Sequence, residues 1–349
     1  MSIAPARTMG RTPGPSPRMR RRAGLAVSWV CLAVLLLASL ALGSRQIPLS
    51  ETINAFVAYD PGNDLHLIVR ELRVPRTIIA VLVGAALGMS GALMQAMTRN
   101  ALAEPGVLGV NAGAAAAIVL GVSAFGLNGI GGYVWFGYLG AGLAAVAVLA
   151  LGRAHDAGTN PVRLVLAGSG LSVMLAALTS IVIINSPDRA LDAFRAWATG
   201  SLQGRGMDAV PVVAASIAVG AVLALAVAPS LNAVALGSDM SKALGLNGRR
   251  TWTLASVAVL LLAGSATAAA GPIAFVGLAA PHMARLVVGP DQRRVLPWSA
   301  LFATIVLLGA DVLGRLVAHP SEIGAGVMSA VIGGPFFIAL VRRRRFAQL

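Results

Sequence analysis

The sequence has few charged residues. Asp, Glu, Lys and Arg make up 11% of its 349 residues, whereas a soluble domain usually carries about 25%. Hydrophobic residues make up 57%, and the mean hydropathy is +0.81. A soluble protein of this composition would expose large apolar patches. The shortage of charge therefore excludes an ordinary soluble protein and favours one in which runs of roughly 20 apolar residues cross a bilayer.

Cysteine and lysine occur once each, as Cys31 and Lys242. A single cysteine excludes an intrachain disulfide and a cysteine-rich zinc site. A P-loop needs Gly-Lys-Ser/Thr, because its lysine reaches the β- and γ-phosphates of ATP, but here Ser241 precedes the lysine. The HExxH and GxSxG motifs are also absent. The chain is therefore predicted to be no enzyme, with no catalytic residues, no metal site and no bound cofactor.

The formal net charge is +14, but the basic residues cluster between apolar runs. A nucleic-acid-binding protein would pattern them on a solvated face instead, so no nucleic-acid partner is predicted. With the N-terminus inside, the inner segments hold 18 of the 27 basic residues, and the outer segments hold nine of the 13 acids. This asymmetry follows the positive-inside rule. It predicts an all-α polytopic membrane protein with both termini in the cytoplasm.

Ten apolar runs, separated by Pro, Gly and charge clusters, are the predicted transmembrane helices. They cover residues 25–42, 77–97, 107–126, 132–152, 162–185, 209–228, 251–270, 272–289, 295–315 and 323–341. The first run could instead be a signal peptide, but it is longer than a usual h-region. Gly271-Pro272 predicts either a tight turn or a broken helix, which at membrane depth requires cover by protein or a water cavity.

The chain is predicted to consist of an N-terminal tail and one membrane domain with three long linkers. Residues 1–24 are rich in Arg, Pro and Ser and are predicted to form a disordered cytoplasmic tail. Residues 25–345 form the membrane domain. Its long linkers are 43–76 and 186–208 outside and 229–250 inside.

A polar stretch at residues 98–114, TRNALAEPGVLGVNAGA, interrupts the apolar chain on its inner side. Gly84 and Gly88 precede it at the small-xxx-small spacing that is typical of close helix packing. Gln95 and Asn100 are harder to explain as packing residues, because a polar group near the membrane is costly unless it pairs or faces water. This stretch is therefore a candidate functional loop.

Several long motifs, ordered along the chain, resemble those of the FecCD-type permeases. They are RVPR (73–76), GALMQAMTRNALAEPGVLGVNAGA (91–114), GPIAFVGLAAPHMARLVVGPDQRRVLP (271–297) and GGPFF (333–337). Those permeases are membrane subunits of bacterial ATP-binding-cassette (ABC) importers for ferric siderophores, haem and vitamin B12. The resemblance covers about residues 25–345 and is strongest to the ferric-enterobactin permeases.

The resemblance implies the type II ABC importer permease fold, with ten helices per subunit, in the bacterial cytoplasmic membrane. It also implies four kinds of partner. These are a second permease subunit, for which a paralogue is favoured over an identical copy, two ATPase subunits that use ATP and Mg²⁺, a periplasmic or lipoprotein binding protein, and a ferric siderophore as cargo.

Site residues implied by the resemblance fall into three groups. Docking of the binding protein maps to Arg73, Arg76 and Arg315, since a guanidinium pairs bidentately with a carboxylate; alternatively Arg315 pairs with Asp311, four residues earlier. Coupling to the ATPase maps to helices within 229–250, at Leu236, Gly237, Ala243, Leu244 and Gly245, although composition alone favours a solvated loop there. A cytoplasmic gate maps to Asn100, Leu102, Asn160, Pro161 and Val162.

Two alternatives remain. The same kind of importer could carry vitamin B12 or haem, which competition for the cognate binding protein would distinguish. An ion-coupled secondary transporter would instead need a carboxylate within the membrane, for which Asp311 is the only candidate in the predicted spans. Ion-driven uptake without an ATPase would establish that alternative.

Overall fold

The computed structural model describes residues 17–127, 130–152, 161–186, 188–235, 237–243 and 245–342, and all regular structure in these ranges is helical. A π-helical turn, Ile68–Arg73, leads directly into α4, and a 3₁₀ turn, Pro105–Leu108, precedes α5. The α-helices are α1 Pro17–Ala41, α2 Leu49–Val57, α3 Asp64–Leu67, α4 Val74–Thr98, α5 Val110–Phe125, α6 Ile130–Leu151, α7 Pro161–Ile184, α8 Asp188–Ala198, α9 Ala209–Ala235, α10 Ser238–Ala243, α11 Gly248–Ala270, α12 Val276–Val288, α13 Gln292–Val317 and α14 Ala325–Arg342.

Each of the ten predicted spans coincides with one helix. Seven helices among the described residues are long and apolar enough to cross a membrane, and three shorter apolar helices lie within α5, α12 and α14. Polar caps and left-handed residues set several of the helix ends. Asn247 and Asp291 accept backbone N–H bonds at the starts of α11 and α13, as N-cap side chains do. Gly109 and Gly126 bound α5 with positive φ.

Two helices extend beyond the prediction. Helix α1 begins at Pro17, inside the predicted tail, where arginines favour helix and proline is tolerated in the first turn. Helix α9 continues through Pro229 to Ala235, so the inner linker begins as a continuation of a membrane helix. Residues 1–16 lie outside the described residues. The outer linkers contain α2, α3 and α8, which hydropathy alone did not reveal.

Helix α4 is the centre of the bundle. It packs against α13, α11, α12 and α9, and most of its residues are buried. Its glycines permit this crowding. A Cβ added to Gly88 would lie 2.1 Å from the carbonyl oxygen of Ser299 on α13, and one added to Gly91 would lie 1.9 Å from that of Gly277 on α12. The predicted packing role of Gly84 and Gly88 is confirmed, since a Cβ on Gly84 would meet the α13 backbone at 2.6 Å.

The chain leaves helical geometry between α11 and α12. Gly271 and Phe275 both have positive φ, at 78° and 67°. Of the two alternatives predicted at Gly271-Pro272, the structure shows the break, with α11 ending at Ala270 and α12 beginning at Val276. Side chains from other helices bond to the backbone on both sides of the break. The indole Nε1 of Trp197 donates to Thr267 O at 3.1 Å, and Ser329 Oγ donates to Ala274 O at 3.2 Å. Satisfying such groups internally is what membrane depth requires.

Candidate functional site

A buried ion-pair cluster joins the ends of α4 and α13. The Arg76 guanidinium donates to Asp311 Oδ1 from Nη2 at 2.7 Å and to Glu322 Oε2 from Nη1 at 2.6 Å. On the other side of Asp311, Arg315 Nη2 lies 2.9 Å from Oδ2. The side chain of Asp311 is fully buried. One carboxylate is therefore held between two arginines, and Glu322 supplies the second negative charge.

Two arginines also close the end of α1. Arg315 Nη1 donates to the carbonyl oxygens of Ser39 and Leu42 at 2.9 and 3.0 Å. Arg73 Nη1 donates to Leu40 O at 2.7 Å, and its Nη2 donates to Arg45 O. The last carbonyls of a helix have no partner within the helix and carry partial negative charge, so guanidinium groups stabilise them. The cluster thereby ties α1, α4, α13 and the segment before α14 together.

The structure places all three predicted docking arginines inside this cluster. Arg73, Arg76 and Arg315 are only 6%, 8% and 2% exposed. The pairing of Arg315 with Asp311, named from the sequence as the alternative, is present. Arg76 is already paired with Glu322, whose side chain is 13% exposed. Docking of the binding protein on these three arginines stays a prediction.

The polar stretch after α4 forms a loop at the opposite end of that helix. Arg99 has φ of 50° and ends α4, and its guanidinium donates to Val234 O on α9. Asn100 Oδ1 accepts from the Leu102 backbone N–H at 2.9 Å, which folds the loop into a tight turn. Asn100 is exposed, and Leu102 is 46% exposed. Both predicted gate residues in this loop therefore lie at the surface of the subunit.

The second predicted gate segment is described only in part. Asn160 lies outside the described residues, and Pro161 and Val162 form the start of α7. The 3₁₀ turn Pro105–Leu108 contacts both α6 and α7, so the two segments belong to neighbouring elements.

Gln95 on α4 and Arg285 on α12 form a polar pair one turn before this loop. Gln95 Oε1 accepts from Arg285 Nη1 at 2.6 Å, and Gln95 Nε2 donates to Leu278 O at 3.2 Å. Gln95 is 1% exposed. Both ends of its amide are hydrogen-bonded, so the partner that its position in the sequence predicts is present. The involvement of Arg285 was not predicted, because 190 positions separate the two residues.

A second pair of polar side chains links the loop to the interrupted α11–α12 segment. Thr267 Oγ1 donates to Asn111 Oδ1 at 2.8 Å, close to the point where α11 ends. Glu104 directly precedes the 3₁₀ turn and is half-buried, and burial raises the pKa of its carboxyl. The described part of the chain contains no group of three His, Cys, Asp or Glu residues placed to hold a metal ion.

The predicted coupling segment is a short helix between two turns. Helix α10 contacts α9 and α11 and is preceded by Gly237, with φ of 112°, and followed by Gly245, with φ of 72°. Ala243 is exposed, and Met240 is 54% exposed. Leu236 and Leu244 lie outside the described residues. The segment is therefore a compact projection of helix and turns rather than an extended loop.

The bundle of long apolar helices, with its ion pairs inside, is that of a polytopic membrane protein. The chain belongs to the FecCD transport family, whose model matches residues 31–343. It is 43% identical over 306 residues to the ferric enterobactin transport system permease protein FepD of Escherichia coli (strain K12), which covers 88% of this chain and 91% of FepD.

Other relatives carry different names. The chain is 38% identical over 317 residues to the iron(3+)-hydroxamate import system permease protein FhuB of Bacillus subtilis (strain 168), covering 90% of this chain and 81% of FhuB. Among solved structures, a metal-chelate type ABC transporter in an inward-facing conformation matches 92% of this chain and 99% of its own, with a TM-score of 0.79 and 24% identity. That likeness confirms the predicted permease fold.

Proposed function

We propose that this chain is the permease subunit of an ABC importer that moves a ferric siderophore across the bacterial cytoplasmic membrane. The single observation that carries the proposal is the similarity to FepD, 43% over 88% of the chain, within a family match from residue 31 to 343. A catecholate chelate is favoured over hydroxamate or citrate. The identity to FepD, 43%, is higher than the 38% to FhuB and to the citrate permease YfmD of Bacillus subtilis.

The orientation in this proposal places both termini in the cytoplasm. The charge asymmetry of the linkers supports it, as does the placement of the Arg99 loop and α10 at the same end as Arg249 and Arg250. The buried arginine cluster then lies at the outer end of the bundle.

ATP hydrolysis belongs in this proposal to two separate ATPase subunits. The single lysine of this chain is not followed by Ser or Thr, so the chain lacks the P-loop that would hold ATP and Mg²⁺. The projection formed by α10 and its flanking turns is the surface that contacts the ATPase. Leu236, Gly237, Ala243, Leu244 and Gly245 form that contact.

The two ends of the bundle have different partners. At the outer end a periplasmic or lipoprotein binding protein docks, and one of its carboxylates replaces Glu322 on Arg76, with Arg73 and Arg315 beside it. At the inner end Asn100 and Leu102 form the gate with Asn160, Pro161 and Val162. Because both described gate residues of the loop are exposed in the single subunit, a second permease subunit, a paralogue in this proposal, faces them across the pathway.

Uptake in cells tests the proposal directly. The chain, with its cognate partner permease, ATPase and binding protein, is expressed in a strain lacking its own ferric-enterobactin permease, and uptake of radioactive iron is measured. We expect iron uptake from a ferric catecholate to exceed iron uptake from ferric hydroxamate, ferric citrate or haem. Vitamin B12, which contains cobalt and is therefore followed with a cobalt label, should not be taken up. An ATPase subunit with its P-loop lysine replaced is the control, and uptake that survives this replacement would instead establish a secondary transporter.

A further inference from the structure

A groove with a volume of about 250 Å³ runs between α6 and α11 on the outside of the bundle. Val146 and Leu149 line it from α6, and Thr253, Ser256, Val257 and Leu260 line it from α11, so its walls are mainly apolar. Val146 is 61% exposed and Val257 is 42% exposed. Both helices are among those long and apolar enough to cross a membrane, so the groove runs along membrane-spanning segments.

One end of the groove is polar. Arg249, in the first turn of α11, is exposed, and Trp252 is half-buried against the core of the bundle. Neither the Arg249 guanidinium nor the Trp252 indole N–H has a hydrogen-bond partner among the described residues. Tryptophan is enriched where a membrane protein meets the headgroup region, and arginine is suited to pairing with phosphate. These two donors point to an anionic headgroup.

The length of the groove matches one leaflet. From Arg249 to Leu260 the helix advances 11 residues, roughly 17 Å at 1.5 Å per residue, and the part from Trp252 to Leu260 is roughly 12 Å. Half of the hydrocarbon core of a bilayer is about 15 Å thick. With the cytoplasmic end at Arg249, an acyl chain that begins at Trp252 would reach Leu260 close to the bilayer centre.

We propose that this groove binds an anionic phospholipid of the inner leaflet. One acyl chain lies along Val146, Leu149, Val257 and Leu260, and the phosphate pairs with Arg249 beside Trp252. A free phosphate would leave the aliphatic walls uncovered, and a lipid with no net charge would leave Arg249 uncompensated. The inference rests on the orientation given under Proposed function but not on the cargo or the ATPase.

Native mass spectrometry of the full-length chain in mild detergent tests this site. The chain is titrated with phosphatidylglycerol, with phosphatidylcholine of the same acyl chains, and with glycerol 3-phosphate. We expect phosphatidylglycerol to bind more tightly than phosphatidylcholine, and glycerol 3-phosphate to give no adduct at the same concentrations. Arg249→Gln is expected to weaken phosphatidylglycerol binding about five-fold, the change that corresponds to one basic residue at an anionic surface.

Arg250 provides the matched control, because it is the next residue, is exposed and does not line the groove. Arg250→Gln should leave the preference for phosphatidylglycerol intact, and Val257→Trp, which fills the groove, should weaken both lipids. Equal binding of the two lipids to the unmodified chain, or equal effects of Arg249→Gln and Arg250→Gln, would overturn the site. Because no transport is measured, a failure of the proposed cargo or motor leaves this result unaffected.

Discussion

Arg76 on α4 and Asp311 on α13 are joined through three hydrogen bonds, although 235 positions separate them in the sequence. Arg315 shares the same carboxylate, so one buried aspartate compensates two guanidinium groups. Within a membrane such a pair is costly unless every charge is matched. The cluster therefore depends on Asp311 more than on any one arginine.

Asp311→Asn should destabilise the protein strongly. The amide keeps the shape of the side chain but leaves Arg76 and Arg315 without their shared charge, and breaking a buried pair in this way costs about 3–5 kcal/mol of unfolding free energy. Thermal unfolding in detergent measures the loss. Asp192→Asn, at an exposed pair with Arg195 whose side chains are 76% and 67% exposed, is the control and should change stability by less than about 1 kcal/mol. Comparable losses in the two variants would contradict the role given to Asp311.

Glu322→Gln and Arg76→Gln should change binding-protein affinity in opposite directions. Glu322 occupies the position on Arg76 that a docking carboxylate needs, so neutralising it should tighten binding, whereas removing the guanidinium should weaken it. Surface-immobilised importer titrated with the binding protein measures both changes. We expect each to amount to several-fold and to shrink at high salt, because the interaction is electrostatic. An increase with both variants, or no change with either, would remove Arg76 from the docking surface.

Gly91→Ala should disrupt the contact between α4 and α12. The added methyl would lie 1.9 Å from Gly277 O, so the two backbones must separate, and overpacking of this kind costs about 1–3 kcal/mol. Gly142→Ala on α6 is the matched control, since nothing lies within 4 Å of its added Cβ. That control should be neutral or stabilising by up to ~1 kcal/mol, because alanine favours helix over glycine. The unfolding temperatures of the two variants are measured in the same detergent. Equal temperatures would contradict the prediction, because they would mean that α12 can move away from α4 at little cost.

Glu104→Gln should make the protein more stable at neutral pH. Burial raises the pKa of Glu104 above its ordinary 4.5, so the folded state favours the protonated carboxyl. That contribution is fully present below pH 4.5 and is lost as pH rises through the raised pKa. The variant should therefore unfold at a higher temperature than the unmodified protein at pH 7 and at the same temperature at pH 4. A difference that is constant across this range would exclude titration of Glu104 as its cause.

Leu244→Asp should uncouple ATP hydrolysis from transport. In the proposed importer Leu244 belongs to the surface that contacts the ATPase, and an aspartate would place a charge in that contact. The reconstituted importer should hydrolyse ATP while its uptake of ferric chelate falls at least several-fold. Leu244→Met, which keeps the volume and apolar character of the side chain, should behave like the unmodified protein. Full uptake by the aspartate variant would place the motor contact elsewhere.

Hydropathy and charge predicted the membrane helices well because both signals are local. Each of the ten apolar runs coincides with a helix, and the small-residue spacing at Gly84 and Gly88 correctly predicted a close helix contact. The helices missed by the prediction are short or amphipathic. Helices α2, α3 and α8, with nine, four and 11 residues, are too short to stand out from the outer linkers by hydropathy.

The polar clusters could not be predicted in the same way, because their members come from distant parts of the chain. The sequence singled out Gln95 as a polar residue in need of a partner, but it could not identify Arg285. It likewise offered Asp311 as the partner of Arg315 from helix spacing, yet gave no sign that Arg76 and Glu322 complete the cluster. Local periodicity reports which face is buried, not which buried faces meet.

Helix α9 connects α10 with the loop that follows α4. It runs without a break from Ala209 to Ala235, where the chain turns at Gly237 into α10, and one residue before its end Val234 O accepts the guanidinium of Arg99. A movement of α10 can therefore reach the loop that holds Asn100 through α9, which contacts α10 and accepts the hydrogen bond from Arg99. In the proposed importer, this contact would link movement of the ATPase subunits to the inner gate.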